Sequence, residues 1–373
     1  MMFITLGIIL GSFIFLHFFA FAIGLNRCRS IKKGQEPPGI SVIKPVKGLD
    51  AGAYENFASF CVQELTVPYE LIFSFQDPQD PALSLVRKLQ KDYPQLDIRV
   101  TVNPVKTPMT GKSSNLHYGI QMAKYDCLIL SDADMRVEPD FVARIASQLN
   151  NPKLGLVSAL PIHVGAKGFW ALIYMLQLNA TILAQWLPYA TLFKLGVAGG
   201  TIAIKKQVIE EIGGMEAIGD YLVEDVKLGL LVKEAGYQVA IGPEIYSPVG
   251  AKTKQDAFSL LARGAIIYRK MLHLALEIPY LAVAYFYFPM MLLGLVLMKP
   301  TLILAGVIHL SGKMLTAFMI SRRAGTSGVE TFLLPVMDGL FLFVYLQVLR
   351  TGTLTWRGMS YRVDEEGRQI KVS

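Results

Sequence analysis

The chain has 373 residues, of which 53% are hydrophobic, and its mean hydropathy of +0.42 is high for a soluble protein. The net charge of +7 is modest, and the basic residues largely flank apolar segments. This distribution fits anionic lipid headgroups better than nucleic acid. The three cysteines are an odd number, which disfavours a disulfide framework and indicates reduced thiols.

The N-terminal stretch is apolar. Met2 to Leu25 contains one ionisable residue, His17, and is long enough to cross about 30 Å of hydrocarbon. A cleaved signal peptide is the alternative, but the run is long and no basic residue precedes it. By the positive-inside rule, the basic residues that follow place the next segment in the cytoplasm. These residues are Arg27, Arg29, Lys32 and Lys33. We therefore predict a transmembrane helix within residues 1–26.

Residues 39–250 alternate strand-like and helical patterns. Continuous apolar strands separated by helices predict an α/β fold with a mostly parallel sheet. The first four strands are predicted at Ile40–Pro45, Tyr69–Phe75, Asp97–Val102 and Cys127–Ser131. Ligands of such sheets bind at the carboxyl ends of the strands. Polar clusters lie at the carboxyl ends of three of these strands, at Lys44–Gly48, Gln76–Asp80 and Ser131–Asp134.

The most informative of these clusters is Ser131–Asp134, which contains Asp132 and Asp134. Two carboxylates one residue apart at the end of a buried strand need their charge compensated. Mg²⁺ or Mn²⁺ compensates it well, because such an ion takes oxygen ligands from one or two carboxylates plus phosphates. The alternative is an acidic turn that caps a helix near Glu138.

Three further positions are candidates for nucleotide binding or catalysis. Asp77 follows the second strand and can accept the N3–H of uracil, although an Asp-Pro turn is an equal alternative. Lys112 opens a predicted helix and can meet a diphosphate, although an exposed lysine is as plausible. Glu224-Asp225 begins another helical pattern, and one of the two carboxylates is a candidate general base. An acidic residue at a helix start is also common without any catalytic role.

The C-terminal third is again apolar. Pro279–Met298 and Thr301–Ile320 are predicted as two spans of a hairpin that ends at Arg322 and Arg323. Phe332–Leu349 is a third candidate that either spans or lies at the interface. The predicted order is a segment at 251–277 on the membrane surface, helices at 278–350 and a tail at 351–373. We also predict that Phe169–Ala190 lies at the membrane interface, with an ordinary buried helix as the alternative.

Taken together, these motifs resemble the ceramide glucosyltransferase family. Its members are membrane-bound, family-2-like glycosyltransferases with a GT-A catalytic domain. The resemblance covers nearly the whole chain, and its motifs occur in the family's order. The matching segments are Ser41–Asp50, Gln76–Asp77, Ser131–Asp132, Leu160–Pro161, Glu224–Asp225, Thr353–Gly358 and Tyr361–Arg362.

The resemblance implies a role for each candidate residue. Asp77 matches the aspartate that binds the nucleotide base, Asp132 matches the metal and diphosphate aspartate, and Asp225 matches the catalytic base. Asp134 extends the metal site to a full Asp-x-Asp. The expected nucleotide-binding set also includes Pro45, Lys47 and Lys112, and possible phosphate or acceptor contacts are Glu224, Arg263 and Trp186. The family's Gln/Arg-x-x-Arg-Trp motif is replaced by Leu260–Gly264, which leaves the acceptor open.

The expected activity is inverting transfer of a hexose, most simply glucose, from a UDP-sugar to a lipid hydroxyl. Ceramide is the favoured acceptor, and Mn²⁺ or Mg²⁺ is the expected cofactor. The catalytic domain is expected to face the cytoplasm at a bacterial inner membrane or an equivalent one. The alternatives are another lipid acceptor (a hopanoid, polyprenyl phosphate or diacylglycerol) and a catalytically decayed membrane scaffold. No nucleic-acid partner is expected, and the sequence does not determine the oligomeric state.

Overall fold

The computed structural model describes residues 2–104, 108–193, 197–271, 281, 284–351, 353–356, 359–364 and 367–371. The strands are β1 (Ile40–Pro45), β2 (Tyr69–Phe75), β3 (Asp97–Val102), β4 (Cys127–Ser131), β5 (Leu154–Lys167), β6 (Thr201–Lys205), β7 (Gln238–Ala251), β8 (Thr353–Trp356), β9 (Met359–Val363) and β10 (Gln369–Lys371). The α-helices are α1 (Met2–Ser30), α2 (Ala53–Ser59), α3 (Ala82–Asp92), α4 (Gly111–Met122), α5 (Phe141–Ala146), α6 (Phe169–Leu176), α7 (Ala184–Phe193), α8 (Lys206–Glu211), α9 (Glu224–Glu234), α10 (Lys254–Met271), α11 (Tyr287–Val296), α12 (Pro300–Arg323) and α13 (Leu334–Thr351). A π-helical segment, Gln177–Leu183, joins α6 to α7, and short 3₁₀ turns lie at Ser147–Asn150, Met215–Ala217 and Val329–Leu333.

The chain divides into two compact units. The first, which we call the α/β unit, contains residues 27–165 and 194–250. The second, which we call the helical unit, contains residues 1–26, 166–193 and 251–373. Residues 166–193 interrupt the α/β unit in sequence but belong to the helical unit.

The α/β unit is built on a seven-stranded sheet in the order β3-β2-β1-β4-β6-β5-β7. The strands β3, β2, β1 and β4 are parallel to one another, whereas β6 runs antiparallel to both β4 and β5. The carboxyl ends of β1, β2 and β4 therefore lie along one edge of the sheet. The expected GT-A architecture, an α/β domain with a mostly parallel sheet, is confirmed.

Alternate side chains along the strands divide the core into two layers. In β1, Val42 packs into one layer together with residues of α2, α3 and α5. Ile43, the next residue, packs into the other layer with residues of α4, α8 and α9. Because both faces of the sheet are covered by helices, the central strands are apolar along their whole length. This coverage leaves the strand ends as the place where polar side chains can gather.

Within the described residues, the helical unit contains two helices long and apolar enough to cross a membrane, Pro300–Arg323 and Val329–Val348. Tyr287–Val296 is apolar but shorter. The predicted span Pro279–Met298 begins partly outside the described residues. At the C-terminus, β8, β9 and β10 form an antiparallel sheet.

Candidate active site

A cleft opens in the α/β unit at the carboxyl end of β4. Its polar lining comes from the end of β4 and from the first turns of α4 and α9. The lining residues are Lys112, Leu116, Leu130, Asp132, Gly200, Thr201, Ile202, Met215, Ile218, Glu224, Asp225 and Leu228. The structure thus brings together Lys112, Asp132, Glu224 and Asp225, which are far apart in sequence.

Lys112 joins the two acidic clusters of the cleft. Its Nζ lies 2.8 Å from Asp132 Oδ1 and 2.8 Å from Glu224 Oε1. Lys112 is the second residue of α4, whose N-cap Thr110 accepts a hydrogen bond from the Ser113 N–H. Burial alone lowers the pKa of Lys112, but the carboxylates of Asp132, Glu224 and Asp225 more than offset this and hold the pKa above its usual value. The lysine is therefore a permanent cation, as a diphosphate contact requires.

Asp132 and Asp134 extend from the loop that follows β4. Burial raises the pKa of Asp132, and the nearby Asp134 raises it further against the opposing effect of Lys112. One carboxylate oxygen of Asp134 accepts a hydrogen bond from Ser247 Oγ at 3.1 Å. The pair does not cap a helix, because α5 begins only at Phe141.

The donor chemistry of this pair fits a divalent cation. Both side chains offer hard carboxylate oxygens, and Mg²⁺ and Mn²⁺ take one or two carboxylates plus substrate phosphates. Among the residues described, no group of three or more His, Cys, Asp or Glu could hold a metal ion.

Glu224 and Asp225 are the first two residues of α9. Burial raises the pKa of Asp225 to about 7, with a further contribution from the Glu224 carboxylate, while Lys112 opposes the shift. One Asp225 oxygen accepts a hydrogen bond from the Val226 N–H at 2.8 Å. A carboxyl group whose pKa lies near 7 is suited to accept a proton at neutral pH.

Two consecutive glycines allow Asp225 to approach β6. Gly199 and Gly200 both have φ of +74°, a conformation that side-chain-bearing residues rarely adopt. A Cβ on Gly199 would lie 2.2 Å from Asp225 Oδ2. The Gly200 carbonyl accepts the Asp132 N–H at 2.8 Å. The turn therefore positions both acidic clusters, and sequence reasoning missed it although Gly-Gly before an apolar strand was a visible signal.

Lys44 is a fully buried lysine that sequence reasoning did not select as a site residue. It is fully buried in β1, where its Nζ donates to Ser131 Oγ at 3.2 Å and to the Asp132 carbonyl at 3.0 Å. Its Nζ also lies 3.8 Å from the centre of the Phe60 ring. Burial lowers its pKa to about 7 despite the opposing charges of Asp132 and Asp134. Lys44 therefore supports the backbone of the loop that carries Asp132.

The other predicted nucleotide-binding residues lie at the ends of β1 and β2. Asp77 is exposed, and its Oδ1 accepts the Gln79 N–H at 2.8 Å, as in an Asx turn. Pro45 ends β1 and is buried, whereas Lys47 is exposed. None of the three is among the residues that line the cleft. Their nucleotide-binding roles stay predictions.

Arg263 and Trp186 belong to the helical unit, in α10 and α7 respectively. Trp186 Nε1 is buried and has no hydrogen-bond partner within the described part of the chain. Arg263 is half-buried. Their predicted contacts with phosphate or acceptor likewise stay predictions.

Comparison with known proteins identifies the family. Residues 11–369 match the family described as Glycosyl transferase family 21. The chain belongs to this family. Ceramide glucosyltransferase 1 of Caenorhabditis elegans is 28% identical over 238 residues, which are 63% of this chain and 51% of the relative. Ceramide glucosyltransferase 3 of the same organism is 28% identical over 57% of this chain and 46% of the relative.

The expected resemblance to the ceramide glucosyltransferases is confirmed by these relatives, and the chain spans about half of their length. Among solved structures, the mannosyltransferase PcManGT of Pyrobaculum calidifontis, in complex with GDP-Man and Mn²⁺, is similar with a TM-score of 0.49. It is 15% identical, and the match covers 93% of this chain and 98% of that one. S. aureus TarS 1–349 in complex with UDP-GlcNAc is 12% identical with a TM-score of 0.41, over 90% of this chain and 99% of that one.

Proposed function

We propose that this protein is an inverting glycosyltransferase that moves a hexose, in the simplest case glucose, from a UDP-sugar to the hydroxyl of a membrane lipid. The observation that carries the proposal is the cleft in which Asp225, with its raised pKa, lies beside the Lys112–Asp132 ion pair. The Asp225 carboxylate can accept a proton. Lys112 and Asp132, which lie next to it, can hold a metal-bound diphosphate. Family membership and the ceramide glucosyltransferase relatives support the same reading.

In the proposed reaction, the Asp225 carboxylate takes the proton of the lipid hydroxyl as that oxygen attacks the anomeric carbon. A bond forms between the lipid oxygen and the anomeric carbon, and the bond from that carbon to the diphosphate oxygen breaks. The single displacement inverts an α-linked donor to a β-glycoside and needs no nucleophilic residue of the protein. Glu224 keeps Asp225 basic by its charge.

UDP leaves with negative charge on its terminal phosphate. Lys112 is the cation of the cleft that can meet this charge, because its side chain is about one third exposed and already lies between the acidic clusters. Asp132 and Asp134 would hold Mn²⁺ or Mg²⁺, which would act as a Lewis acid on the leaving phosphate. Asp77 is proposed to bind the uracil, with Pro45 and Lys47 alongside the nucleotide.

The proposed location is the membrane, with the α/β unit on the cytoplasmic side. Two observations support this orientation. Arg27 and Arg29 lie in the last turn of α1, and Arg322 and Arg323 lie in the last turn of α12. Basic residues flank the cytoplasmic ends of membrane helices.

Sugar transfer by the purified full-length chain in detergent tests the proposal. The donors are UDP-glucose, UDP-galactose and UDP-N-acetylglucosamine, and the acceptors are ceramide and diacylglycerol, with Mn²⁺, with Mg²⁺ or with a chelator. Asp225→Asn keeps the shape of the side chain but removes the base. Glu234→Gln, at the exposed end of the same helix, is the matched control.

We expect a β-glycolipid whose formation needs the metal. Loss of the base in Asp225→Asn should slow transfer by about 10²- to 10⁴-fold, while Glu234→Gln should be as active as the unmodified chain. Transfer to diacylglycerol alone would keep the enzyme class and replace the acceptor. Absence of both UDP binding and transfer would leave the scaffold alternative.

A further inference from the structure

Lys44 places a positive charge in the core of the α/β unit, next to the loop that carries Asp132. The side chain is fully buried. Its Nζ lies 3.2 Å from the Ser131 hydroxyl, 3.0 Å from the Asp132 carbonyl and 3.8 Å from the centre of the Phe60 ring. All of these partners are neutral groups. Because a buried cation without a carboxylate beside it costs free energy, stability alone gives no reason for a lysine at this position.

The partners of Lys44 do not depend on it for their hydrogen bonds. The Asp132 carbonyl also accepts the Met135 N–H at 3.3 Å. The Ser131 hydroxyl oxygen lies 2.9 Å from the Thr201 hydroxyl oxygen. Both groups would therefore keep a partner if an apolar residue replaced the lysine. The contribution of the lysine is to restrict the position of the loop.

Hydrogen bonds continue from Lys44 across the sheet to the glycine turn before β6. Ser131 ends β4 and lies opposite Thr201, the first residue of β6. Thr201 Oγ1 donates to the Gly200 carbonyl at 2.8 Å, and the Thr201 N–H donates to the Gly199 carbonyl at 2.8 Å. Ser131 and Thr201 are buried, as Lys44 is. We call the side chains of Lys44, Ser131 and Thr201 the Lys44 network.

The Lys44 network reaches the backbone that carries one acidic cluster and adjoins the other. At one end, Lys44 donates to the Asp132 carbonyl, and the Asp132 N–H donates to the Gly200 carbonyl at 2.8 Å. At the other end, Gly199 lies against the candidate base, since a Cβ on this glycine would be 2.2 Å from Asp225 Oδ2. Three neighbouring strands, β1, β4 and β6, are thereby joined directly behind the two clusters.

The side chains of the Lys44 network act through the groups that they hold. Lys44 and Ser131 are not among the residues that line the cleft. Thr201 forms part of the cleft wall, but its side chain is fully buried. A ligand in the cleft therefore experiences the network through the placement of Asp132 and of the glycine turn.

We propose that the Lys44 network is a positioning device that fixes the Asp132 carboxylate relative to the Asp225 carboxylate. A metal-bound diphosphate and the attacking hydroxyl would then meet in the geometry that the reaction needs. This inference rests on the function proposed above. A displacement of about 1 Å at a reacting centre can lower a rate a hundredfold, so a costly buried cation can be retained for position alone. The three side chains take no part in making or breaking a bond.

Two apolar variants of similar shape test the proposal. Lys44→Met removes the cation, and Thr201→Val removes a hydroxyl without changing any charge. Lys88→Met is the matched control, because Lys88 also lies over an aromatic ring of the α/β unit, that of Tyr54 at 4.3 Å, but is exposed. Each full-length variant, in detergent and without acceptor, is titrated with UDP at saturating Mn²⁺. Thermal midpoints and the electron paramagnetic resonance spectrum of Mn²⁺ with UDP are recorded in parallel.

We expect the Kd for UDP with Mn²⁺ to rise about tenfold in Lys44→Met, because groups that orient a metal ligand strongly affect the affinity of the site. Thr201→Val should raise it about three- to tenfold, and Lys88→Met should leave it unchanged. The thermal midpoint of Lys44→Met should stay the same or rise, since a buried charge is removed and its partners stay paired. The resonance spectrum of bound Mn²⁺ should change in both variants, because its carboxylate ligand is less firmly held.

The double variant Lys44→Met/Thr201→Val shows whether the two residues act together. Both substitutions break the same network, so the combined rise in Kd should be smaller than the product of the two single rises. A rise equal to that product would overturn the network, since the residues would then act independently.

Three further results would overturn the proposal. They are an unchanged Kd in both single variants, a rise in Lys44→Met but none in Thr201→Val, which would assign the effect to charge alone, and a lowered thermal midpoint of Lys44→Met with an unchanged resonance spectrum, which would make Lys44 merely structural. Because binding is measured without acceptor, failure to transfer sugar to any lipid would count against the proposed function. The UDP affinities would still decide the role of the Lys44 network.

Discussion

Two lysines, one in each unit, are held by carboxylates in different ways. In the helical unit, Lys313 Nζ lies 2.6 Å from Asp338 Oδ1, and both side chains are at most 5% exposed. Tyr287 OH donates to the same carboxylate at 2.8 Å, and the Ala284 carbonyl accepts from Lys313 at 3.0 Å. In the α/β unit, Lys112 faces three carboxylates in an open cleft and is 34% exposed.

The difference separates a structural ion pair from a binding site. Around Lys313, one cation meets one anion, and neutral groups complete the hydrogen bonds, so the charges balance. Around Lys112, one cation meets the carboxylates of Asp132, Glu224 and Asp225, so negative charge remains in excess. A site with an excess of one charge, open to solvent, is prepared for a ligand of the opposite charge.

Removal of Lys313 should have the largest effect. Lys313→Met leaves the Asp338 carboxylate buried without its cation, which should destabilise the folded chain by about 3–5 kcal/mol. Thermal or denaturant unfolding in detergent measures this loss. The double variant Lys313→Met/Asp338→Leu removes both charges and should recover most of the lost stability.

Arg322→Gln is the control for Lys313, because Arg322 is exposed at the end of the same helix and should change stability little. A single variant as stable as this control, or a double variant no better than the single one, would show that the pair contributes no stability.

Removal of Lys112 should chiefly weaken ligand binding. Lys112→Met takes away a charged hydrogen-bond donor, worth about 1.5–3 kcal/mol, so the Kd for UDP with Mn²⁺ should rise by roughly tenfold to a hundredfold. Lys124→Met, just beyond the same helix, breaks an exposed ion pair with Asp97 and should leave the Kd unchanged. Calorimetric titration of both variants checks this. Equal Kd values for the two would remove Lys112 from the nucleotide site.

Much of the α/β unit could be predicted because its strands are continuous apolar runs. The bounds of β1, β2, β3 and β4 agree with the predicted segments residue for residue. The strand-end rule also predicted that Ser131–Asp134 would lie at the edge of the sheet where ligands bind, but it did not predict that Lys112 and Asp225, which lie at the starts of helices, would join Asp132 there. What the sequence pattern lacked was the antiparallel β6 inserted beside β4, since pairing partners depend on contacts distant in sequence.

Lys44 and the π-helical segment show why other features could not be predicted. In an apolar run, a lysine is typical of the end of a strand. Only the fold shows that the Lys44 ammonium group donates a hydrogen bond to the Asp132 carbonyl. The π-helical segment reads as an ordinary apolar helix, because the choice of hydrogen-bond partner is made by packing rather than by composition. Both features depend on neighbours that are remote in sequence.

A substitution at Gly199 should change the geometry of the cleft alone, with a smaller effect than the loss of Lys112. In Gly199→Ala, the new Cβ would press on the Asp225 carboxylate, and φ of +74° adds strain of about 1–3 kcal/mol. Gly236→Ala carries similar strain, with φ of +89°, but a Cβ there would meet open space. We expect both variants to lose similar stability and only Gly199→Ala to lose transfer activity, by about tenfold or more. Unfolding curves and transfer rates together check this, and parallel activity losses would contradict it.

The smallest expected change is in the pH dependence of the transfer rate, which reports directly on the protonation of Asp225. Asp225 acts as a base only when deprotonated, so kcat/KM should fall about tenfold per pH unit below the pKa near 7 and level off above it. The Glu224 carboxylate helps to raise that pKa, so Glu224→Gln should move the acidic limb of the profile to lower pH. The transfer rate reports on Asp225 more directly than the free energy of unfolding does. The pKa of Lys44 also lies near 7, so its titration would contribute to the stability over the same pH range. A profile that does not move in Glu224→Gln would mean that another group accepts the proton.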